Sequence, residues 1–208
     1  MNATNTTETP TIKDTTTEGT ATAISRYPIP DINSLPDDIV QRILDVQKKA
    51  KFIPNVFLVL AHRPNQFRAF FDYYDAIITQ PSHGLTSAEK EMIIVATSAR
   101  NGCQYCVIAH GALLRVYSKQ PLLADQIAIN YLHAPISSRQ KAMLAFALKL
   151  SRTPELIEES DYTTLKAVDI DDEDILDITS IVGLFGLSNR LAIVTNMQAN
   201  TEFYTMGR

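Results

Sequence analysis

Residues 86–117, TSAEKEMIIVATSARNGCQYCVIAHGALLRVY, decide the fold. Thr86-Ser87-Ala88-Glu89 has the form of a capping box, in which a threonine hydroxyl and a glutamate three residues on satisfy each other's free backbone amides. A helix is therefore expected to start there and run to about Ala99. Asn101-Gly102 is a turn signal. Ile108, Leu113 and Val116 then give the next stretch, roughly Cys103 to Tyr117, an apolar helical component. The pair reads as a helical hairpin. The chain's only two cysteines, Cys103 and Cys106, sit at the start of its second arm, and His110 follows four residues after Cys106. That spacing puts His110 one turn on, on the same helical face.

The same period extends outward from the hairpin. Upstream, Pro36-Asp37-Asp38 opens a helix carrying Ile39, Ile43, Leu44 and Val46, with its acids at the favourable end of the helix dipole. Asn55 to Leu60 is a short apolar segment. Pro64 starts a helix with Phe67, Phe70, Phe71, Tyr74, Ile77 and Ile78 on one broad face. Downstream, helices are expected from Pro121 to about Asn130, after Ser138 through Leu150, around Tyr162 to Ala167, and from about Asp172 to Thr195. No strand series, dinucleotide fingerprint or Walker loop interrupts them, so the fold class is all-α. Asp171 to Thr195 echoes Ser87 to Val116, with Gly183-Leu184-Phe185-Gly186 as a break where the earlier copy has its cysteines. Duplication into two degenerate hairpin repeats and ordinary helical hairpins both account for this.

Composition narrows the function. A net charge of −4 over 208 residues favours neither nucleic acid nor an anionic membrane surface. No apolar run reaches the ~18 uncharged residues of a membrane span. Residues 1–25 are rich in Thr and poor in large apolar side chains, which cannot offset the entropy of ordering, so a disordered tail is expected. This tail lacks the pattern of a secretory signal or transit peptide. The Tyr27-Pro28-Ile29-Pro30 arm then leads into a single domain, residues 26–208. Two cysteines at this spacing are not a secreted disulfide framework, and a cytoplasmic setting is expected.

Chemistry concentrates at the cysteines. A thiolate is the reactive form, and an imidazole or helix N-terminus draws its pKa from ~8.5 toward neutrality. Two cysteines two residues apart can also close a small disulfide ring. A structural zinc site would need a second ligand pair that the sequence lacks, so no metal and no cofactor are expected. Inert packing is the remaining reading, since free cysteine is among the most buried residue types. A proton relay needs a carboxylate as well. Glu89 is taken up by the capping box. Glu91 shares a face with Ile94, Val95 and Ser98, where a buried acid would need a partner, or where it would lie half-exposed in the first turn. Tyr105 is read either as a pocket residue orienting a thiol or as simple packing. His62, His83 and His133 fall in loops or at helix ends and are assigned no chemistry. The run Asp169 to Asp174 lacks the spacing and glycine of a calcium-binding loop and reads as a solvated helix start.

The order Glu91, eleven residues, Cys103-x-x-Cys106, three residues, His110 resembles the AhpD-like alkylhydroperoxidases of the carboxymuconolactone decarboxylase superfamily. The ending Asn196 to Arg208 is similar to its peroxidase-related branch. The resemblance covers about Tyr27 to Arg208. It implies an all-α, cofactor-free homo-oligomer, trimeric or hexameric, that reduces peroxides and is recycled by a lipoyl or thioredoxin-like dithiol. It implies Cys106 as the peroxidatic residue, Cys103 as the resolving one, and Glu91 with His110 as the proton relay. The best-known members carry histidine immediately before the second cysteine, where this chain has Tyr105. Lactone decarboxylation is the superfamily's other activity, although it makes no obvious use of two cysteines. A redox sensor without turnover is the alternative from another class.

Overall fold

The computed structural model describes residues 23–208. Ten α-helices and no strand occur among the described residues. They are α1 (Asp37–Ala50), α2 (Asn55–Leu60), α3 (Pro64–Tyr74), α4 (Ser87–Arg100), α5 (Gln104–Ser118), α6 (Leu123–Asn130), α7 (Ser138–Arg152), α8 (Glu159–Lys166), α9 (Asp172–Val194) and α10 (Glu202–Thr205). The all-α expectation is met.

The α4–α5 hairpin is the centre of the molecule. Every residue from Glu89 to Ser98 is buried, because α4 packs against α5, α6, α7 and α9 at once. Its capping box forms as the sequence requires, with Thr86 Oγ1 accepting from Glu89 N and Glu89 Oε2 accepting from Thr86 N. Gly102, at φ +69°, makes the sharp turn into α5, a left-handed conformation that a β-carbon disfavours. Around the hairpin, Ile39, Phe67, Ile94, Leu114, Leu144 and Phe185 belong to one large apolar cluster. A second, smaller cluster holds both cysteines with Phe52, Val59, Tyr105, Met197 and Phe203.

Several elements depart from the sequence expectation. The helix expected through Ile78 ends at Tyr74 and continues as a π-helical turn, Asp75–Thr79. At this turn the buried ammonium of Lys90 donates to the carbonyls of Ile77 and Gln80, both at 2.7 Å. Burial lowers the lysine's pKa. The glycines of the later echo do not break the chain. α9 runs unbroken through Gly183 and Gly186, held by buried Val182, Leu184 and Phe185. α9 is long and apolar enough to cross a membrane by length and composition, and here it packs on α4, α5 and α7.

The expected disordered tail lies outside the described residues up to residue 22. Its last residues are already engaged: Gln198 N donates to Ile24 O at 3.0 Å, Arg26 N to Thr195 O at 2.8 Å, and Ser25 is buried. The C-terminal segment is fastened as firmly. Buried Arg115 donates to Phe203 O at 2.6 Å and to Met206 O at 2.9 Å. Asn55 donates its backbone N–H to Asn200 Oδ1 at 2.7 Å and its side-chain amide to Gln198 O at 2.8 Å.

Candidate active site

The first residues of α5 build the site. Cys103 is the N-cap, with its Sγ accepting from Cys106 N at 3.4 Å. Sulfur here does what a serine or aspartate oxygen does at other helix starts, satisfying an amide that has no helical partner. Both cysteines are reduced and 1 % exposed. Cys106 Sγ lies 3.9 Å from Ser188 Oγ on α9. The neighbouring Asn189 donates to Ser98 Oγ at 2.9 Å and accepts from the Asn101 side chain at 2.8 Å. Thus α4, its C-terminal turn, α5 and α9 meet at the two sulfurs.

One turn further along α5, His110 Nδ1 is 2.8 Å from Glu91 Oε2. The pair is well covered, with 12 % of the imidazole and 2 % of the carboxyl side chain exposed. Phe185 of α9 meets the imidazole edge-to-face at 4.7 Å. Glu91 is therefore the buried acid with a partner and not a half-exposed first-turn residue. Its charge reaches Tyr117, whose phenol is pushed up by burial and then by Glu91.

The two thiols are unequal. Cys103's pKa is lowered, chiefly by a hydrogen bond from the Cys106 thiol, against the opposing effect of burial, and with help from the Cys106 amide and Asn189. Cys106 is pushed up, because its own proton is engaged by Cys103 and the sulfur is buried. The resemblance gives Cys106 the reacting role, whereas the resting electrostatics make Cys103 the more acidic thiol. The N-cap position explains this order: Cys103 receives the amide and the second thiol, while Cys106 has only the Ser188 hydroxyl and Asn189 to help it.

Tyr105 packs in the cluster that holds both cysteines and has a structural bond. Its hydroxyl accepts the Val56 N–H at 3.2 Å, satisfying one of the free amides at the start of α2. Burial pushes its ionisation up, so the phenol stays neutral. A cavity of about 600 Å³ opens beside this region, walled by Leu184, Leu187 and Leu191 of α9 together with Phe70 and Val59. Val59 also packs in the cluster that holds the cysteines. Neither cysteine lines the cavity itself.

Glu89 does more than cap α4, since Arg139 on α7 donates to its Oε1 at 2.7 Å. Sequence reasoning also missed Phe185, Ser188 and Asn189. The sequence carried no distinct signal for them, since α9 also holds the polar pair Thr179-Ser180, and only their meeting with the hairpin singles them out. The Asp169–Asp174 run is not solvated throughout, because Asp174 is buried.

Comparison with known proteins places the chain in a family. Residues 64–148, from α3 into α7, match the model of the carboxymuconolactone decarboxylase family. No functionally curated protein matches the chain. A solved structure described as an alkylhydroperoxidase AhpD core, an uncharacterized peroxidase-related protein from Ralstonia eutropha JMP134, is 57% identical. It covers 90% of this chain and 98% of its own, with a TM-score of 0.89. An uncharacterized peroxidase-related protein from Silicibacter sp. TM1040 is 35% identical over 93% of this chain and 100% of its own, with a TM-score of 0.84. The debrominase Bmp8 shares the fold at 16% identity, with a TM-score of 0.70 over 89% of this chain and 96% of its own. The chain belongs to the AhpD-like, peroxidase-related branch of the carboxymuconolactone decarboxylase superfamily.

Proposed function

We propose that the protein is a thiol-dependent peroxidase acting through Cys103 and Cys106. The observation that carries this reading is a buried dithiol at a helix start with a Glu91–His110 pair, 2.8 Å apart, one turn along the same helix. A thiolate attacks the O–O bond of a hydroperoxide, giving a cysteine sulfenic acid, while the other oxygen leaves as an alcohol or water after taking a proton. The second thiol condenses with the sulfenic acid, forming the Cys103–Cys106 disulfide and releasing water. An external dithiol, lipoyl or thioredoxin-like, returns two electrons and two protons by exchange.

Cys106 is the attacking sulfur in this proposal. At rest its proton is shared with the more acidic Cys103. Attack requires that proton to pass to Cys103 or toward the imidazole of His110, which Glu91 orients and whose charge, once it holds the proton, Glu91 balances. Tyr105 holds α2 over the pair and moves no proton. The exposed apolar side chains of Leu187, Val194, Tyr27 and Tyr73 support the homo-oligomer that the family implies.

The test is peroxide consumption by wild type, Cys106→Ser and Cys103→Ser, each supplied with several dithiols. Turnover by wild type and loss of rapid peroxide reaction in Cys106→Ser are expected. A reduced wild type that consumes no peroxide with any dithiol would leave the pair without peroxidase function.

A further inference from the structure

Away from the thiols, the loop before α4 meets the first turn of α9. Asp174 is 3 % exposed, and its Oδ1 is the one buried side-chain N or O atom without a hydrogen-bond partner among the described residues. Its other oxygen has Arg139 Nη2 at 3.4 Å, while that guanidinium makes its short bond, 2.7 Å, to Glu89. The backbone at Gly84 presses against this carboxylate. A β-carbon there would sit 2.5 and 2.6 Å from the two oxygens, so only glycine leaves them room. Buried carboxylate oxygens normally have donors or cations. This one has no partner.

Two more groups face the same point. His83 Nδ1 lies 3.2 Å from Asp171 Oδ2. Asp171 Oδ1 accepts from Asp174 N at 2.9 Å, which holds the carboxylate across the helix start. One ligand-type atom from each of His83, Asp171 and Asp174 lies within 4.8 Å of the others. We propose that His83, Asp171 and Asp174 form a binding site for a divalent transition-metal cation, with Zn²⁺ the ion the donors fit best.

The chemistry of the donors selects the ion. An imidazole nitrogen with two carboxylates suits Zn²⁺, whereas Ca²⁺ and Mg²⁺ call for six or more oxygens. Zn–N and Zn–O bonds of ~2.0–2.2 Å need the ligand atoms a little closer than they stand. The His83 and Asp171 side chains, 68% and 53% exposed, are free to swing in toward the fixed Asp174. Two carboxylates neutralise the ion and offset the repulsion of the helix N-terminus. Arg139 remains with Glu89, Gly84 O and Asp174 Oδ2. The remaining positions are taken by water. Bound there, the ion ties the loop ahead of α4 to α9 and touches neither cysteine.

The test is titration of the full-length protein with ZnCl₂ by calorimetry. It is done in a Cys103→Ser/Cys106→Ser background, because the dithiol is itself a zinc ligand. One equivalent of Zn²⁺ per chain, a raised Tm, and at least a tenfold weaker Kd after His83→Ala or Asp171→Asn are expected. His83 is exposed, so its replacement leaves the fold intact, and circular dichroism checks this. In the wild-type chain the same site is the equivalent that His83→Ala removes, whatever the cysteines bind. No Zn²⁺ uptake by the cysteine-free chain, an affinity unchanged by His83→Ala, or tighter binding of Ca²⁺ than Zn²⁺ would overturn the proposal.

Discussion

Replacing His110 with alanine isolates the Glu91 carboxylate inside the fold. Glu91 Oε2 has His110 Nδ1 at 2.8 Å, and only 2 % of its side chain is exposed. Removing one partner from such a pair typically costs ~3–5 kcal/mol, because the remaining charge is buried without compensation. Loss of the edge-to-face contact with Phe185 adds about 0.5–1.5 kcal/mol. At ~2–4 °C per kcal/mol for a chain of this size, His110→Ala should lower Tm by about 10–20 °C. Glu91→Gln keeps the shape and removes the charge, so it should cost only ~1–2 kcal/mol. The double variant should be no worse than His110→Ala alone, since no buried charge is left unpaired. Calorimetry supplies the Tm values, and urea titration with unchanged m supplies the free energies. In the same samples, stopped-flow kinetics should show Glu91→Gln slowing the peroxide step by on the order of 10²–10⁴-fold while its stability falls less than that of His110→Ala. If His110→Ala cost under ~1 kcal/mol, or the double variant showed the sum of the two single losses, Glu91 would not depend on His110 as its buried partner.

The thiols make a second prediction: absorbance at 240 nm should place the Cys103 titration in Cys106→Ser below that of Cys106 in Cys103→Ser, because the backbone amide of residue 106 still donates to Cys103 Sγ after the thiol–thiol bond is lost. The lowered Cys103 pKa stabilises the folded state above the unfolded thiol's titration range, and that contribution should fade as pH drops through the folded value. Cys103→Ser should trap a sulfenate on Cys106, detectable with a dimedone probe, and failure to do so would transfer the attacking role. After peroxide, mass spectrometry of alkylated wild type should show both thiols protected within one chain, not in an intermolecular dimer. Tyr105→Phe should cost ~1–3 kcal/mol by leaving Val56 N–H unsatisfied, read by urea unfolding, with the thiol titrations little changed. Deleting residues 1–22 should leave Tm and turnover nearly unchanged, since their composition offers little apolar surface to the core.

Local rules made much of this molecule legible. The Thr86 capping box, the Asn101-Gly102 turn and the apolar period of α4 and α5 are short-range patterns, and they survive into the fold because nothing distant opposes them. The Glu91–His110 pairing was implied by the family resemblance, while the residues alone left Glu91 open between a buried and a half-exposed acid. What resisted reading depends on partners far along the chain. Lys90 reaches 13 residues back to Ile77 O, and Tyr105 serves an amide 49 residues away. Ser188 meets Cys106 across 82 residues, and neither helical period nor propensity encodes such a meeting. The glycines at 183 and 186 illustrate the opposite error. Each costs α9 roughly 1 kcal/mol relative to alanine, a penalty that the buried neighbours outweigh.

The distance in sequence between the thiols and their α9 neighbours has a consequence during synthesis. A ribosome releases both arms of the hairpin, with Cys103, Cys106, Glu91 and His110, well before it has made Ser188 and Asn189, 82 and 91 residues beyond their partners. At ~5–20 residues per second, the nascent chain spends several seconds with its dithiol uncovered by α9. The half-made protein is thus chemically distinct from the finished one. Its sulfurs are open to any oxidant or thiol at the tunnel exit, and completion of α9 closes that interval.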